Sequence, residues 1–161
     1  TIDNCMSTND MVIVLANGLA KRKTITTRDQ NFKAFQKALN YVCLFLAKEI
    51  VKDGEGATKF ITVLVQGAKN NAQAKTAALA IANSNLVKTA AYGSNPNWGR
   101  VAAAVGSLAL PIDEQRLKIT FSSFEKKEIS ICAHLGLGKA SATVYTSDLS
   151  PKYVDINGKY N

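Results

Sequence analysis

The feature of this 161-residue chain that most constrains its fold is a repeated change in the spacing of its apolar residues. Between about residues 29 and 51 they recur every three or four positions, which gives one apolar stripe along a helix. From 60 to 66 they alternate instead, which places Ile61, Val63 and Val65 on one face of a strand. A chain that changes between these two periods predicts helices packed on mixed β-sheets, an α/β or α+β fold.

Local end signals and shorter patterns predict the remaining elements. The patterns favour strands at 11–16, 86–92, 117–121, 129–133, 140–146 and 154–160, and a helix of small apolar residues at 74–82. A further helix is expected from Asn95, because Pro96 suits the first helical position, and Trp98 would begin its buried stripe. Asp29 suits the cap of the long helix, and Gly54 suits the left-handed position after that helix.

The charge and the apolar pattern disfavour two classes of protein. The formal charge is +8, but the basic residues are scattered, and their densest cluster, at 21–23, has no aromatic residue interleaved. This distribution favours a solvated lysine-rich surface, so a basic nucleic-acid-binding module is only a weaker alternative. No apolar run reaches the length that spans a bilayer, and we expect neither a membrane nor a nucleic-acid partner.

The cysteines and the single histidine do not form a ligand pattern. Cys5, Cys43 and Cys132 are odd in number and widely spaced, which predicts buried, reduced thiols in a cytoplasmic protein. His134 has no cysteine at ligand spacing and lies in an alternating apolar segment. We therefore expect no metal site, and a structural role for the histidine.

Six groups of short motifs, in order along the chain, are more specific than its periodicity. They are TxD at 1–3 with STND at 7–10 and LANG at 15–18, EGATK at 55–59, ANS at 82–84 with LVKTA at 86–90, NPNWGR at 95–100, ASAT at 140–143, and DL, YV and IN at 148–149, 153–154 and 156–157. Together they resemble the glutamate N-acetyltransferase/ornithine acetyltransferase family over all of residues 1–161, with no internal boundary. By this resemblance the chain is the C-terminal part of the family's β chain. The implied fold is the N-terminal-nucleophile architecture of that family, incomplete in this chain.

The resemblance implies an acetyltransferase of arginine biosynthesis. Such enzymes move an acetyl group from N-acetylornithine to glutamate through an acetyl-threonine intermediate, and bifunctional members also use acetyl-CoA as a donor, with no other cofactor. The precursor cleaves itself before the threonine nucleophile that heads the β chain, and the α chain supplies the oxyanion donors. The implied partners are that α chain and the N-terminal part of the β chain, in a cytoplasmic α2β2 heterotetramer.

No catalytic residue is expected in this chain, which alone should be inactive. Thr1 matches a position two before a family aspartate, some tens of residues beyond the nucleophile. Glu55 matches the glutamate that holds the substrate's amino group. It lies between two glycines after a helix C-terminus, where a ligand can approach and a cation is favoured. Asn157 matches a substrate-binding asparagine near the C-terminus, although Asn-Gly also suits a plain turn.

Two further interpretations remain open at this point. Ser7, Thr8, Asn9 and Asp10 either support the active site or form only a structural turn, whereas residues 97–100 are expected to fix a helix start. The same self-processing architecture also suits an amidase or aminopeptidase. Free acetate or cleaved peptide, without acetylglutamate, would identify that hydrolase.

Overall fold

The computed structural model describes residues 1–159, and the contacts of the chain divide it into two units. The larger unit comprises Thr1–Asn4 and Ile50–Asn161, and the smaller unit is Cys5–Glu49. The elements in chain order are α1 (Gln30–Lys52), β1 (Phe60–Ala68), α2 (Asn71–Ala82), α3 (Asn85–Tyr92), α4 (Trp98–Gly106), β2 (Lys118–Phe121), β3 (Glu128–His134), β4 (Ala140–Ser147) and α5 (Pro151–Asn157). No helix in this described part is long and apolar enough to cross a membrane.

The larger unit is built on a four-stranded mixed sheet of order β2-β3-β1-β4. Strand β1 pairs in parallel with β3 and antiparallel with β4, and β2 pairs antiparallel with β3. The predicted alternation is confirmed, because Ile61, Val63 and Val65 are all fully buried. This mixed sheet with packed helices agrees with the α/β or α+β fold expected from the sequence.

Helix α2 covers the buried face of the sheet, against β1 and β4. Its alanines, Ala74, Ala77 and Ala78, are fully buried, because side chains of this size let a helix backbone lie close to a strand. Asn70 caps the helix, since its side chain accepts a hydrogen bond from the Gln73 amide. The small-residue pattern therefore predicted both the helix and its buried face.

The smaller unit confirms one prediction and corrects another. Helix α1 begins after Asp29, whose carboxylate accepts a hydrogen bond from the Phe32 amide, as the capping signal indicated. Its apolar stripe is exposed, however, with Phe35 59% and Leu46 53% accessible. The strand expected at 11–16 is wrong. The segment has no regular structure and its side chains are exposed, because apolar composition without a pairing partner does not make a strand.

Two predicted strands are helices instead. Residues 86–92 lie in α3, which Ser84 caps by accepting a hydrogen bond from the Val87 amide. Residues 154–157 lie in α5, which Ser150 caps and Pro151 begins; residue 160 of that prediction lies outside the described residues. In both cases a serine cap was present in the sequence, and short apolar runs do not distinguish a strand from a helix.

Several smaller expectations also differ from the structure. Helix α4 begins at Trp98 with Asn97 as its cap, two residues later than expected, and Trp98 is 64% exposed. The left-handed glycine after α1 is Gly56 (φ 68°) and not Gly54. The cysteines are not buried, because two are exposed and Cys132 is half-buried. The exposed imidazole of His134 lies against Gly67, a contact suited to its expected structural role.

Candidate amino-acid-binding site

The loop between α1 and β1 carries Glu55 at an exposed turn. The Ala57 amide donates to the Gly54 carbonyl (2.9 Å), which closes the turn around Glu55 and Gly56. Gly56 has a left-handed backbone, φ 68°, that residues with a Cβ adopt only at a cost. The sequence therefore folds locally so that the Glu55 carboxylate projects from a tight turn.

Helix α5 brings Asn157 to the same place. Its amide Nδ2 donates to Glu55 Oε2 (2.7 Å) and to the Tyr153 carbonyl (3.0 Å). The two predicted site residues are 102 positions apart in the sequence, and the fold places them in contact. Asn157 thereby fixes one carboxylate oxygen of Glu55.

Glycine at position 56 allows this close approach. A Cβ at Gly56 would lie 2.5 Å from the Tyr153 amide nitrogen and 2.9 Å from the Lys152 carbonyl carbon. Both are backbone atoms at the start of α5, so neither can rotate away. The Ser150 hydroxyl also donates to the Gly56 carbonyl (2.6 Å). The loop and the first turn of α5 are therefore packed backbone against backbone.

An open cleft of about 660 Å³ lies beside this contact. It is lined by the 52–58 segment, by Tyr92 and by residues of α5 and its cap, with both acidic and basic side chains: Asp53, Glu55, Lys52 and Lys152. A carboxylate with one oxygen held by an amide can accept hydrogen bonds from an ammonium group. The open cleft thus presents a carboxylate to a ligand that carries an ammonium group.

A buried polar layer beneath the loop was not predicted as part of the site. Lys88 is 2% exposed, and its ammonium donates to the Ile2 carbonyl (2.6 Å), the Thr146 hydroxyl (3.0 Å) and the Ser147 carbonyl. Burial lowers the pKa of Lys88 to about 8, an effect that the charges of Asp148 and Asp3 oppose. In the sequence, Lys88 lies in the motif LVKTA and Asp148 in the motif DL, and these positions were the available signals for this layer.

Lys59 forms a second internal anchor next to the site loop. Its ammonium donates to the Ser94 hydroxyl and to the Phe124 carbonyl, both at 2.6 Å. These bonds tie the start of β1 to the end of α3 and to the β2–β3 connection. Sequence reasoning did not single out this residue, because a lysine before a strand is usually a solvated surface residue.

Thr1 and residues 7–10 have local partners. The Thr1 hydroxyl donates to Asn83 Oδ1 (3.0 Å) and accepts from the Asn4 amide (3.2 Å). In the smaller unit, Ser7, Thr8, Asn9 and Asp10 form an exposed turn in which the Ser7 amide donates to Asp10 Oδ2, and the Asn9 amide donates to the Ser7 hydroxyl. The predicted turn is confirmed, and an active-site role for it stays a prediction.

The other motif residues have structural contacts, and no metal-binding cluster occurs among residues 1–159. Asn97 Oδ1 accepts from the Arg100 amide (3.2 Å), as expected for a helix cap. Arg100 Nη1 donates to the Leu86 carbonyl (2.7 Å) and to the Thr89 hydroxyl, which ties α4 to α3. Residues 97–100 therefore fix a helix start and its packing, as predicted.

Fold and loop geometry together define a class of protein, an α/β chain with an open cleft that exposes a carboxylate. The comparisons with known proteins identify its family. The model of the ArgJ family matches residues 1–126, so the chain belongs to the ArgJ family. It is 44% identical to the "Arginine biosynthesis bifunctional protein ArgJ" of Geobacter sulfurreducens and 43% identical to the "Glutamate N-acetyltransferase" of Methanopyrus kandleri. These matches cover 99% of the chain but only 46% and 47% of the relatives.

A solved structure matches the fold throughout. The crystal structure of the arginine biosynthesis bifunctional protein argJ from Bacillus halodurans has a TM-score of 0.90 and 37% sequence identity. The match covers 99% of this chain and 85% of that one. The chain spans about half the length of the curated relatives it matches, whereas it covers most of this crystallised chain.

Proposed function

We propose that this chain supplies the amino-acid-binding part of an acetyltransferase of arginine biosynthesis, which transfers acetyl from N-acetylornithine to glutamate. Membership of the ArgJ family supports this proposal, as do the printed names of the relatives, which include a glutamate N-acetyltransferase. The single observation that carries it is the contact of Asn157 with Glu55 at the open cleft.

The proposed role of Glu55 is to hold an ammonium group of the amino-acid substrate. Its turn exposes the carboxylate, and the bond from Asn157 orients it. A charge-assisted bond between the carboxylate and the ammonium would fix the substrate relative to an acetyl group carried by a threonine nucleophile elsewhere in the enzyme. In this scheme the bound ammonium first releases one proton, and the resulting neutral amine attacks the acetyl ester. The threonine oxygen leaves and takes up the second proton that the nitrogen loses on forming the amide, which regenerates the threonine hydroxyl.

The partners in this proposal are the α chain and the N-terminal part of the β chain, in an α2β2 heterotetramer. Several large apolar side chains are exposed on α1, among them Phe35, Phe45 and Leu46. They support this proposal, because exposed apolar surface favours an interface. The nucleophile and oxyanion donors would come from those partners, so this chain alone should not transfer acetyl groups. Light scattering of the full gene product measures the assembly, and a monomeric product would contradict this part.

The experiment that tests the proposal is an assay of the full gene product with N-acetylornithine and glutamate, with acetylglutamate and ornithine as the measured products. Glu55→Gln should lower kcat/KM about 10- to 150-fold, which is the loss of a bond to a charged group worth about 1.5–3 kcal/mol. Glu125→Gln, in the exposed β2–β3 connection, is the matched control and should change little.

Three outcomes of this assay distinguish the proposed acetyltransferase from its alternatives. Acetylglutamate formation that depends on Glu55 supports the proposal. Free acetate without acetylglutamate indicates a hydrolase, and equal activity of the two glutamine variants removes Glu55 from the site. The same assay with acetyl-CoA in place of N-acetylornithine decides whether it is also a donor.

A further inference from the structure

The buried carboxylate of Asp148 lies directly beneath the loop that carries Glu55. Asp148 is 4% exposed and follows the last residue of β4. Because β1 and β4 are antiparallel, with Phe60 opposite Ser147, the residue after β4 lies beside the residues that precede β1. The topology therefore brings a carboxylate to the loop from about 90 positions further along the chain.

Three hydrogen bonds join this carboxylate to the loop. Asp148 Oδ1 accepts from the amides of Thr58 and Lys59, both at 2.8 Å, and Oδ2 accepts from the Thr58 hydroxyl at 2.5 Å. Bonds to an ionised acceptor are shorter and stronger than neutral ones. Both oxygens of one buried group are thus used to hold the C-terminal end of the loop.

Other hydrogen bonds hold the rest of the loop, and a buried cation lies near the Asp148 carboxylate. The Ser150 hydroxyl holds the Gly56 carbonyl (2.6 Å), and the Ala57 amide closes the turn onto Gly54. The ammonium of Lys88, 2% exposed, interacts electrostatically with Asp148. A buried carboxylate near a buried cation costs less to maintain than an isolated one.

We propose that Asp148 is a positioning residue for Glu55, one that holds the 54–59 loop so that the Glu55 carboxylate meets Asn157 at the cleft. This inference rests on the proposed function for the identity of the ligand, an ammonium-bearing amino acid. Asp148 does not line the cleft and acts through Thr58 and Lys59. It therefore controls where substrate is bound without contacting it.

The test compares variants of Asp148 and Thr58 in the full gene product. Asp148→Ala removes all three bonds, whereas Asp148→Asn keeps an acceptor for the two amides. Thr58→Val removes only the hydroxyl bond at constant shape, and Thr58→Ser restores it. A 1 Å displacement of a binding group costs about 100-fold in rate, so Asp148→Ala should lower kcat/KM about 100-fold. Thr58→Val should lower it about 10-fold, with recovery in Asp148→Asn and Thr58→Ser.

A double-mutant cycle with Glu55→Gln distinguishes positioning from general stabilisation. If Asp148 acts through Glu55, the double variant Glu55→Gln/Asp148→Ala should be hardly less active than the more impaired single variant. If its role is merely structural, the two losses multiply. The same cycle with Thr58→Val covers the case in which Asp148→Ala does not fold.

Hydrogen exchange of the loop gives a readout that does not need activity. Asp148→Ala and Thr58→Val should speed exchange in a peptide covering 54–60 at least 10-fold, while a peptide covering α2 stays unchanged. Unchanged exchange in the loop, or multiplying losses in the cycle, overturns the proposal. If the wild-type enzyme makes no acetylglutamate, the proposed function fails, and exchange alone decides whether Asp148 holds the loop.

Discussion

Replacing Gly56 by alanine tests the backbone contact that joins the Glu55 turn to α5. Two separate effects are expected from this one methyl group. The left-handed φ of 68° becomes unfavourable for a residue with a Cβ, and the new Cβ would lie 2.5 Å from the Tyr153 amide nitrogen. Because the second contact is with backbone, either the turn or the start of α5 must move.

The size of the loss follows from these two effects. A left-handed conformation costs a residue with a Cβ about 1–2 kcal/mol, and overpacking of a tight contact costs about 1–3 kcal/mol. Gly56→Ala should therefore lower the free energy of unfolding by about 2–5 kcal/mol, a large part of a typical stability of about 5–15 kcal/mol. The displacement should also separate Glu55 from Asn157 and weaken binding at the cleft.

Urea denaturation of the full gene product, followed by circular dichroism, measures this loss. With a slope of about 2 kcal/mol per molar urea, the midpoint should fall by about 1–2.5 M. Gly106→Ala is the matched control, because Gly106 ends α4 without a left-handed φ, and a Cβ there would meet nothing within 4 Å. It should be neutral or slightly stabilising. Equal midpoints for the two variants would refute the reasoning.

Three further predictions concern other polar contacts. Between pH 8 and 10 the unfolded chain keeps a proton on Lys88 that the folded protein has released, because burial lowers the folded pKa to about 8. The difference in unfolding free energy, wild type minus Lys88→Met, should therefore increase by roughly 1 kcal/mol per pH unit. Lys126→Met should show the same pH dependence as the wild type. Asn97→Ala should cost about 1 kcal/mol in urea denaturation, and Asn97→Asp, which keeps the capping acceptor, should cost less. Lys59→Met should cost about 1–3 kcal/mol because it removes both bonds of the ammonium, to the Ser94 hydroxyl and to the Phe124 carbonyl. A loss no greater than that of Lys126→Met would contradict the anchor role.

The parts of the fold that were predicted correctly depend on local or periodic signals. Asp29 at the start of α1, the alternation in β1 and the alanines of α2 each act within one element. The failures at 11–16, 86–92 and 154–157 are short apolar runs, whose conformation depends on what they pack against. The serine caps of α3 and α5 were visible in the sequence, and greater weight on them would have corrected both helices.

The candidate site was likewise predicted only in part from the sequence. Glu55 and Asn157 were predicted as site residues because each lies in a recognised motif, and their contact could not be inferred from motifs 102 positions apart. Asp148 and Lys59 were not singled out, since a charged residue in a sequence gives no sign of whether it will make internal hydrogen bonds. Their roles became visible only with their hydrogen-bond partners.

The sequence by itself determined the family, the class of fold, and most of the helices and strands, because these depend on order and spacing along the chain. The tertiary structure decided that β1 lies between β3 and β4, with antiparallel pairing to β4. That pairing places the residues before β1 beside the residues after β4. It thereby joins Glu55 to Asn157 and Asp148 to Thr58, contacts that no local signal encodes, since strand order is settled by packing the whole chain.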